Sequence, residues 1–124
     1  MFGTTADGGT TPSNHLTITQ EGRGVSQFTA KAWIQFDGTG TPSTADSHNF
    51  GSITDNGTGD YTIAFSNALA NANYAVAGLS HIPGTSYATI QVVTHATGSV
   101  RFSTVRSNWA AGDNTYNELI VFGD

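Results

Sequence analysis

Apolar and polar residues alternate with a period of two along most of this chain. Residues 30–36, AKAWIQF, put Ala30, Ala32, Ile34 and Phe36 on one face and Lys31, Trp33 and Gln35 on the other. Residues 61–65, YTIAF, turn Tyr61, Ile63 and Phe65 inward. A weaker alternation runs through 15–19, HLTIT, and residues 73–79, NYAVAGL, are small and apolar on both faces. Residues 87–94, YATIQVVT, and 100–106, VRFSTVR, flank His95-Ala96-Thr97-Gly98-Ser99, a hairpin-type connector. Residues 118–122, ELIVF, form a near-continuous apolar run of the kind a central strand carries. The spacing of these runs, with Gly, Asn and Pro between them, predicts an all-β antiparallel sandwich or jelly roll. The one helix-like stretch, residues 66–72, is short enough to be a single turn between two strands.

Domain organisation follows from the same pattern. Residues 1–14 are rich in Gly and Thr without periodicity and read as a flexible or partner-dependent arm. Residues 15–124 read as a single β-sandwich domain, a size able to bury a core without staples. No stretch approaches the roughly 20 apolar residues of a membrane-spanning helix. The opening MFGTTADGGTTPSN has neither the basic start nor the apolar centre of a secretory signal, and none is expected here.

Composition narrows the function classes. Charged residues make up 10% of the chain, against about 25% in average proteins, and the net charge is −5. The strong cations Arg23, Lys31, Arg101 and Arg106 are scattered, so no basic face exists to displace counterions. Nucleic acid and anionic membranes are therefore not expected partners. There is no cysteine, which removes disulfides and thiolate metal sites.

The run Asp55-Asn56-Gly57-Thr58-Gly59-Asp60 has no apolar side chain. It fails as an EF-hand calcium loop, because Gly57 and Gly59 stand at positions 3 and 5 and no carboxylate stands at position 12. It fails as a phosphate loop, because a strand follows it and no cation is near. As a turn it has a mechanism: Asn-Gly and Gly59 tolerate positive φ, and Asp55 and Asp60 can accept from loop N–H groups.

His15, His48, His81 and His95 lie in separate segments without zinc-site spacing, and no metal or other cofactor is expected. The carboxylates Asp37, Asp46, Asp55, Asp60, Asp113 and Glu118 are the material for a glycosidase pair, but most stand beside turn residues where capping accounts for them. No G-x-S-x-G elbow is present, and no catalytic residue is assigned. Trp109, with Asn108 and Asp113 on the same loop, suits stacking on a sugar ring with polar groups alongside; packing back on the sandwich is the plain alternative. The loop 80–86 offers His81 in a similar setting. Trp33, flanked by Lys31 and Gln35 on the face opposite Ile34 and Phe36, is expected to be covered by another subunit.

Several blocks carry a family likeness. KAWIQF followed by Gly38-Thr39-Gly40-Thr41, then SITDNGTGDYT over 52–62, then Ala72-Asn73-Tyr74, and finally Val100-Arg101-Phe102 and the terminal LIVFGD occur in order over residues 29–124. Together they resemble the C-terminal tip domain of bacteriophage tail fibres and fibre-like virion proteins of the marine and cyanobacterial phage type. The resemblance implies a β-sandwich that assembles as a homotrimer, without catalysis, on the virion surface. Its implied partners are other virion proteins and a host cell-surface glycan or protein. Two departures stand beside it. Family members follow a long shaft, whereas a short arm precedes the domain here. The segment 42–50 also lacks the basic residue expected before Asp46-Ser47. The expected role is a tail-fibre tip that contacts the receptor. A capsid-surface head fibre or decoration protein, attached through residues 1–14, is the alternative. A polysaccharide-degrading enzyme is a remote third.

Overall fold

The computed structural model describes residues 2–4, 13–18, 20, 24–26, 29–84 and 88–123. The described residues form eleven strands and no helix: β1 (Phe2–Thr4), β2 (Ser13–Ile18), β3 (Gly24–Val25), β4 (Ala32–Asp37), β5 (Ser43–His48), β6 (Phe50–Gly57), β7 (Asp60–Phe65), β8 (Ala75–His81), β9 (Ala88–Ala96), β10 (Ser99–Arg106) and β11 (Tyr116–Phe122). Strands β1-β2-β3 make a small sheet of their own. Two parts of the expected arm, Phe2–Thr4 and the start of β2, are thus paired strands, and the rest of 1–14 lies outside the described residues.

The other eight strands follow one another in the order β5-β4-β11-β8-β9-β10-β7-β6, all antiparallel. This is the expected all-β class, realised as one nearly closed sheet. Strands β8 and β9 meet at one ladder pair, Ser80↔Ala88, and there the sheet folds over. The halves β5-β4-β11-β8 and β9-β10-β7-β6 then face each other. Phe36 on β4 reaches Tyr61 on β7 edge-on at 5.3 Å and Phe102 on β10 at 6.0 Å. Edge-to-face rings of this kind add to the burial energy of their area. The alternating positions Ala32, Ile34, Phe36, Tyr61, Ile63 and Phe65 are all buried, joined by Val100, Phe102, Leu119 and Val121. The apolar run at 118–122 is a central strand, paired with both β4 and β8.

Two local expectations change, and one strand is added. Residues 66–72 form bends rather than a helical turn; Leu69 is buried as a plug for the core, its N–H donating to the Thr97 carbonyl at 2.9 Å. STADSH, without a large apolar residue, is edge strand β5, joined to β6 through Asn49 at φ 57. Within DNGTGD, the two-residue turn is Thr58-Gly59, not Asn56-Gly57, and Asn56-Gly57 closes β6 at a bulge. Asp55 does accept from the Gly57 N–H at 2.9 Å, but Asp60 turns to Arg101.

That ion pair makes a pH prediction. The Arg101 Nε and Nη2 donate to the two Asp60 oxygens at 2.9 and 2.6 Å. The guanidinium holds the Asp60 carboxyl below its ordinary range. A lowered folded-state value stabilises above the ordinary carboxylate range, and the contribution is lost as pH falls through the lowered value. The pair is solvent-exposed, so its share at neutral pH is small. Arg101→Ala is expected to leave neutral-pH stability nearly unchanged and to raise the pH at which acid unfolding begins. An identical acid limb in both proteins, followed by circular dichroism, would refute this.

Candidate functional site

Strand direction sorts the loops into two ends. Chain entry at residues 29–31, the bend 66–74, the turn 97–98 and the exit after Phe122 share one end. The turns 38–42 and 58–59, residues 82–84 after β8 and the connection 107–115 share the other. The far end from the entry therefore gathers His81, Asn108, Trp109 and Asp113. Thr85, Ser86 and Tyr87 of the loop beside His81 lie outside the described residues.

The connection 107–115 is built on a tight turn. The Trp109 N–H donates to the Arg106 carbonyl at 2.9 Å, and the Arg106 N–H donates to the Ala110 carbonyl at 2.9 Å. Asn108 Oδ1 accepts from the Ala110 N–H at 3.1 Å. In such three-residue loops the third residue takes the left-handed conformation, where glycine is preferred. Here it is Trp109 at φ 65, with 81% of its surface exposed. Neither backbone preference nor burial explains a tryptophan at this place.

Asp113 is turned the other way. Its Oδ1 accepts from the Gly59 N–H at 2.7 Å and lies 2.8 Å from the Tyr61 hydroxyl. That hydroxyl also lies 3.0 Å from the Gly38 carbonyl; burial and the neighbouring carboxylate push its pKa up. Arg106 Nε donates to Asn114 Oδ1 at 3.3 Å. Behind it, buried Asn114, Ser80 and Asn117 link in a chain of 2.8 and 2.7 Å bonds, and Asn117 Nδ2 donates to the Asn114 carbonyl at 2.8 Å. A satisfied buried network of this kind fixes one arrangement of the loop base. Of the four expected contact residues, Asp113 thus anchors the loop, while Trp109 and Asn108 are presented outward.

His81 ends β8 and stacks on Tyr116, centroids 4.8 Å apart and 18° between planes. Tyr116, exposed at the start of β11, is an aromatic that the sequence reading did not single out. Lys31 stands before β4 at the entry end, and its Nζ donates to the Ser26 carbonyl at 2.8 Å. Trp33 stays on the outer face of β4 and is 37% exposed. Ladder pairing aligns Trp33 with Ile120 and Ala77, Gln35 with Glu118 and Leu79, and Phe122 with Ala75. Trp33, Gln35, Ala77, Leu79, Glu118 and Ile120 bound an open apolar groove of about 490 Å³, with Leu79 68% exposed on one side. The outer side of the other half carries Thr54, Thr62, Gln91, Arg101 and Ser103 instead.

Each carboxylate weighed as a catalytic acid has a partner in the fold. Asp37 accepts from Thr39, Asp46 from the Ser47 N–H, and Glu118 from Gln35, beside the partners of Asp55, Asp60 and Asp113 given above. No cluster of three or more His, Cys, Asp or Glu able to hold a metal is found among the described residues. No family model, curated protein or solved structure matches the chain.

Proposed function

We propose that this chain is the tip of a bacteriophage tail fibre, a homotrimer on the virion surface that presents its loop end to a receptor on the host cell. The observation that carries the reading is Trp109, a bulky ring held in a left-handed turn and open to solvent at the end opposite the chain entry. Strained residues that surrounding structure over-determines gather at binding sites. The ordered blocks that resemble fibre-tip domains support the same reading. Its test is immunogold labelling of whole virions with antibody to this chain. Label at the distal end of a tail appendage is expected. Label on the capsid exterior would instead establish a head-fibre or decoration role. That second reading draws on the small β1-β2-β3 sheet ahead of the sandwich, a ready grip for attachment.

Copies of the same chain are the occupants assigned to the apolar face around Trp33. One outer half is apolar and the other hydroxyl-rich, as befits a sandwich that buries one side in an assembly. A central tryptophan in such a patch is a typical anchor, worth about 2 kcal/mol or more when truncated. Trp33→Ala is therefore expected to shift the trimer to monomer at micromolar concentration while leaving monomer unfolding nearly unchanged. Light scattering across a dilution series reads this. A monomeric unaltered chain would end the trimer proposal, and one that pairs with a purified neighbouring virion protein would give the face to that partner.

A further inference from the structure

A second concave site lies at the receptor-facing end, apart from Trp109. Its floor is β4 at 35–37, and its volume is about 190 Å³. One wall is the edge strand β5, where the ladder shifts between Gln35 and Phe36 and leaves Ala45 as the extra residue of a bulge. Bulges re-aim side chains at sheet edges and beside binding sites. The opposite wall is Tyr116. Because β11 lies between β4 and β8, His81 backs the Tyr116 ring from the β8 side, and the groove opens on its β4 side. The ring is thus held from behind by a stack and bare in front.

The polar groups are placed as well. Asp37 and Ser43 are ladder partners on the outer face. The Thr39 N–H and hydroxyl both donate to Asp37 Oδ1, at 2.8 and 2.7 Å, which fixes the carboxylate and leaves Oδ2 pointing away from that cap. The same two bonds hold the Asp37 carboxyl below its ordinary range, so it is ionised at neutral pH. Gln35 Nε2 is turned toward β11 instead, donating to Glu118 Oε1 at 2.7 Å.

We propose that this groove binds one neutral pyranose ring of a surface glycan, its C–H face on Tyr116 and its hydroxyls on the Asp37 carboxylate and Ser43. The volume is below the several hundred Å³ of drug-sized sites and suits a single ring. An aromatic plate beside a charged acceptor is the chemistry that takes a ring with an apolar face and donor hydroxyls. Acidic sugars are disfavoured, because the Asp37 carboxylate lines the groove and the chain carries a net charge of −5. The inference rests on the receptor-facing reading for its biological meaning, but sugar binding by the purified chain tests it separately from virion location.

The experiment is a two-dimensional NMR titration of the full chain with glucose, galactose, mannose and, as the anionic control, glucuronate. The expected result is a saturable shift of Asp37, Ser43 and Tyr116 resonances, which stand outside the groove assigned to subunit contact, with at least one neutral sugar, in the millimolar range, and none with glucuronate. Asp37→Asn retains an oxygen for the Thr39 cap but loses the charge, and should weaken binding about tenfold. Tyr116→Phe should bind as the unaltered chain does, and Tyr116→Ala should not bind. Absence of any saturable shift with all three neutral sugars overturns the inference, as do shifts confined to Trp109 or equal binding by Asp37→Asn and the unaltered chain. Loss of cell adsorption in a Trp109 variant, without sugar binding at Tyr116, would leave the tip reading standing and remove this one alone.

Discussion

Gly59→Ala is expected to destabilise the fold by roughly 2–5 kcal/mol, from left-handed strain and from overpacking together. Gly59 has φ +64, and a Cβ there would lie 2.6 Å from the Gly112 nitrogen and 2.8 Å from the Thr104 carbonyl oxygen. Both obstacles are backbone, so neither can rotate aside. They are also tied to each other, since the Gly112 N–H donates to the Thr104 carbonyl at 3.2 Å and the Thr104 hydroxyl to the Gly112 carbonyl at 2.5 Å. Gly59 itself donates to Asp113 and accepts from the Thr104 N–H at 2.8 Å. Pushing it outward would therefore loosen the base of the loop that carries Trp109. Gly40→Ala is the control: Gly40 has φ +62, nearly that of Gly59, but nothing within 4 Å of an added Cβ. It bears the backbone strain without the collision, and the difference between the two variants in urea unfolding isolates the packing contribution. Equal losses would mean that Gly59 serves only its own turn.

The sequence made that turn legible and its purpose illegible. Asn, Gly and Asp between two apolar runs are turn chemistry, and the expected reversal between Ile53 and Tyr61 is present. The choice of Thr58-Gly59 over Asn56-Gly57 is decided by contacts with Thr104 and Asp113, which are far away in the chain. Local turn chemistry cannot report such partners. The same reasoning covers Asp113. On a loop with Trp109 and Asn108 it resembles a hydroxyl-binding group, yet its acceptor is used by Gly59 and Tyr61.

Alternation was most informative where one face is buried by the opposite half-sheet, as for Tyr61, Ile63 and Phe65. It was silent for β5, an edge strand whose outer and inner positions are both polar or small. Edge strands survive with such sequences because only one side needs a ladder partner and little area is buried. Tyr116 escaped notice for a related reason. The apolar signal of the last strand starts at Leu119, and the exposed ring three residues earlier gains its interest only from the His81 stack and the bulged edge across β4. By contrast, the outer position of Trp33 was readable, because Ile34 and Phe36 claim the core side without competition.

Trp109→Gly is expected to hold or raise stability while abolishing receptor contact, an opposition that a merely structural tryptophan cannot produce. Glycine removes the left-handed strain, roughly 1–2 kcal/mol for a residue with a Cβ, and gives part of it back through a more flexible unfolded chain. The net change should lie between zero and about 1 kcal/mol of stabilisation. Trp109→Ala retains the strain and, with the ring 81% exposed, should change stability by less than about 0.5 kcal/mol. Both lose the stacking surface. If the ring is a contact anchor, each copy forfeits about 2 kcal/mol, or roughly thirtyfold in affinity, and a trimer that relies on avidity loses more. Trp109→Phe should keep most of the adsorption because a flat ring remains. The paired measurements are thermal unfolding and adsorption of the labelled protein to host cells. A Trp109→Gly protein that unfolds earlier or falls apart into monomers would make the ring a packing element. Full adsorption with full stability would move the contact to the other loops of the same end, where the 57–59 turn, the 42–49 segment and the Tyr116 groove remain.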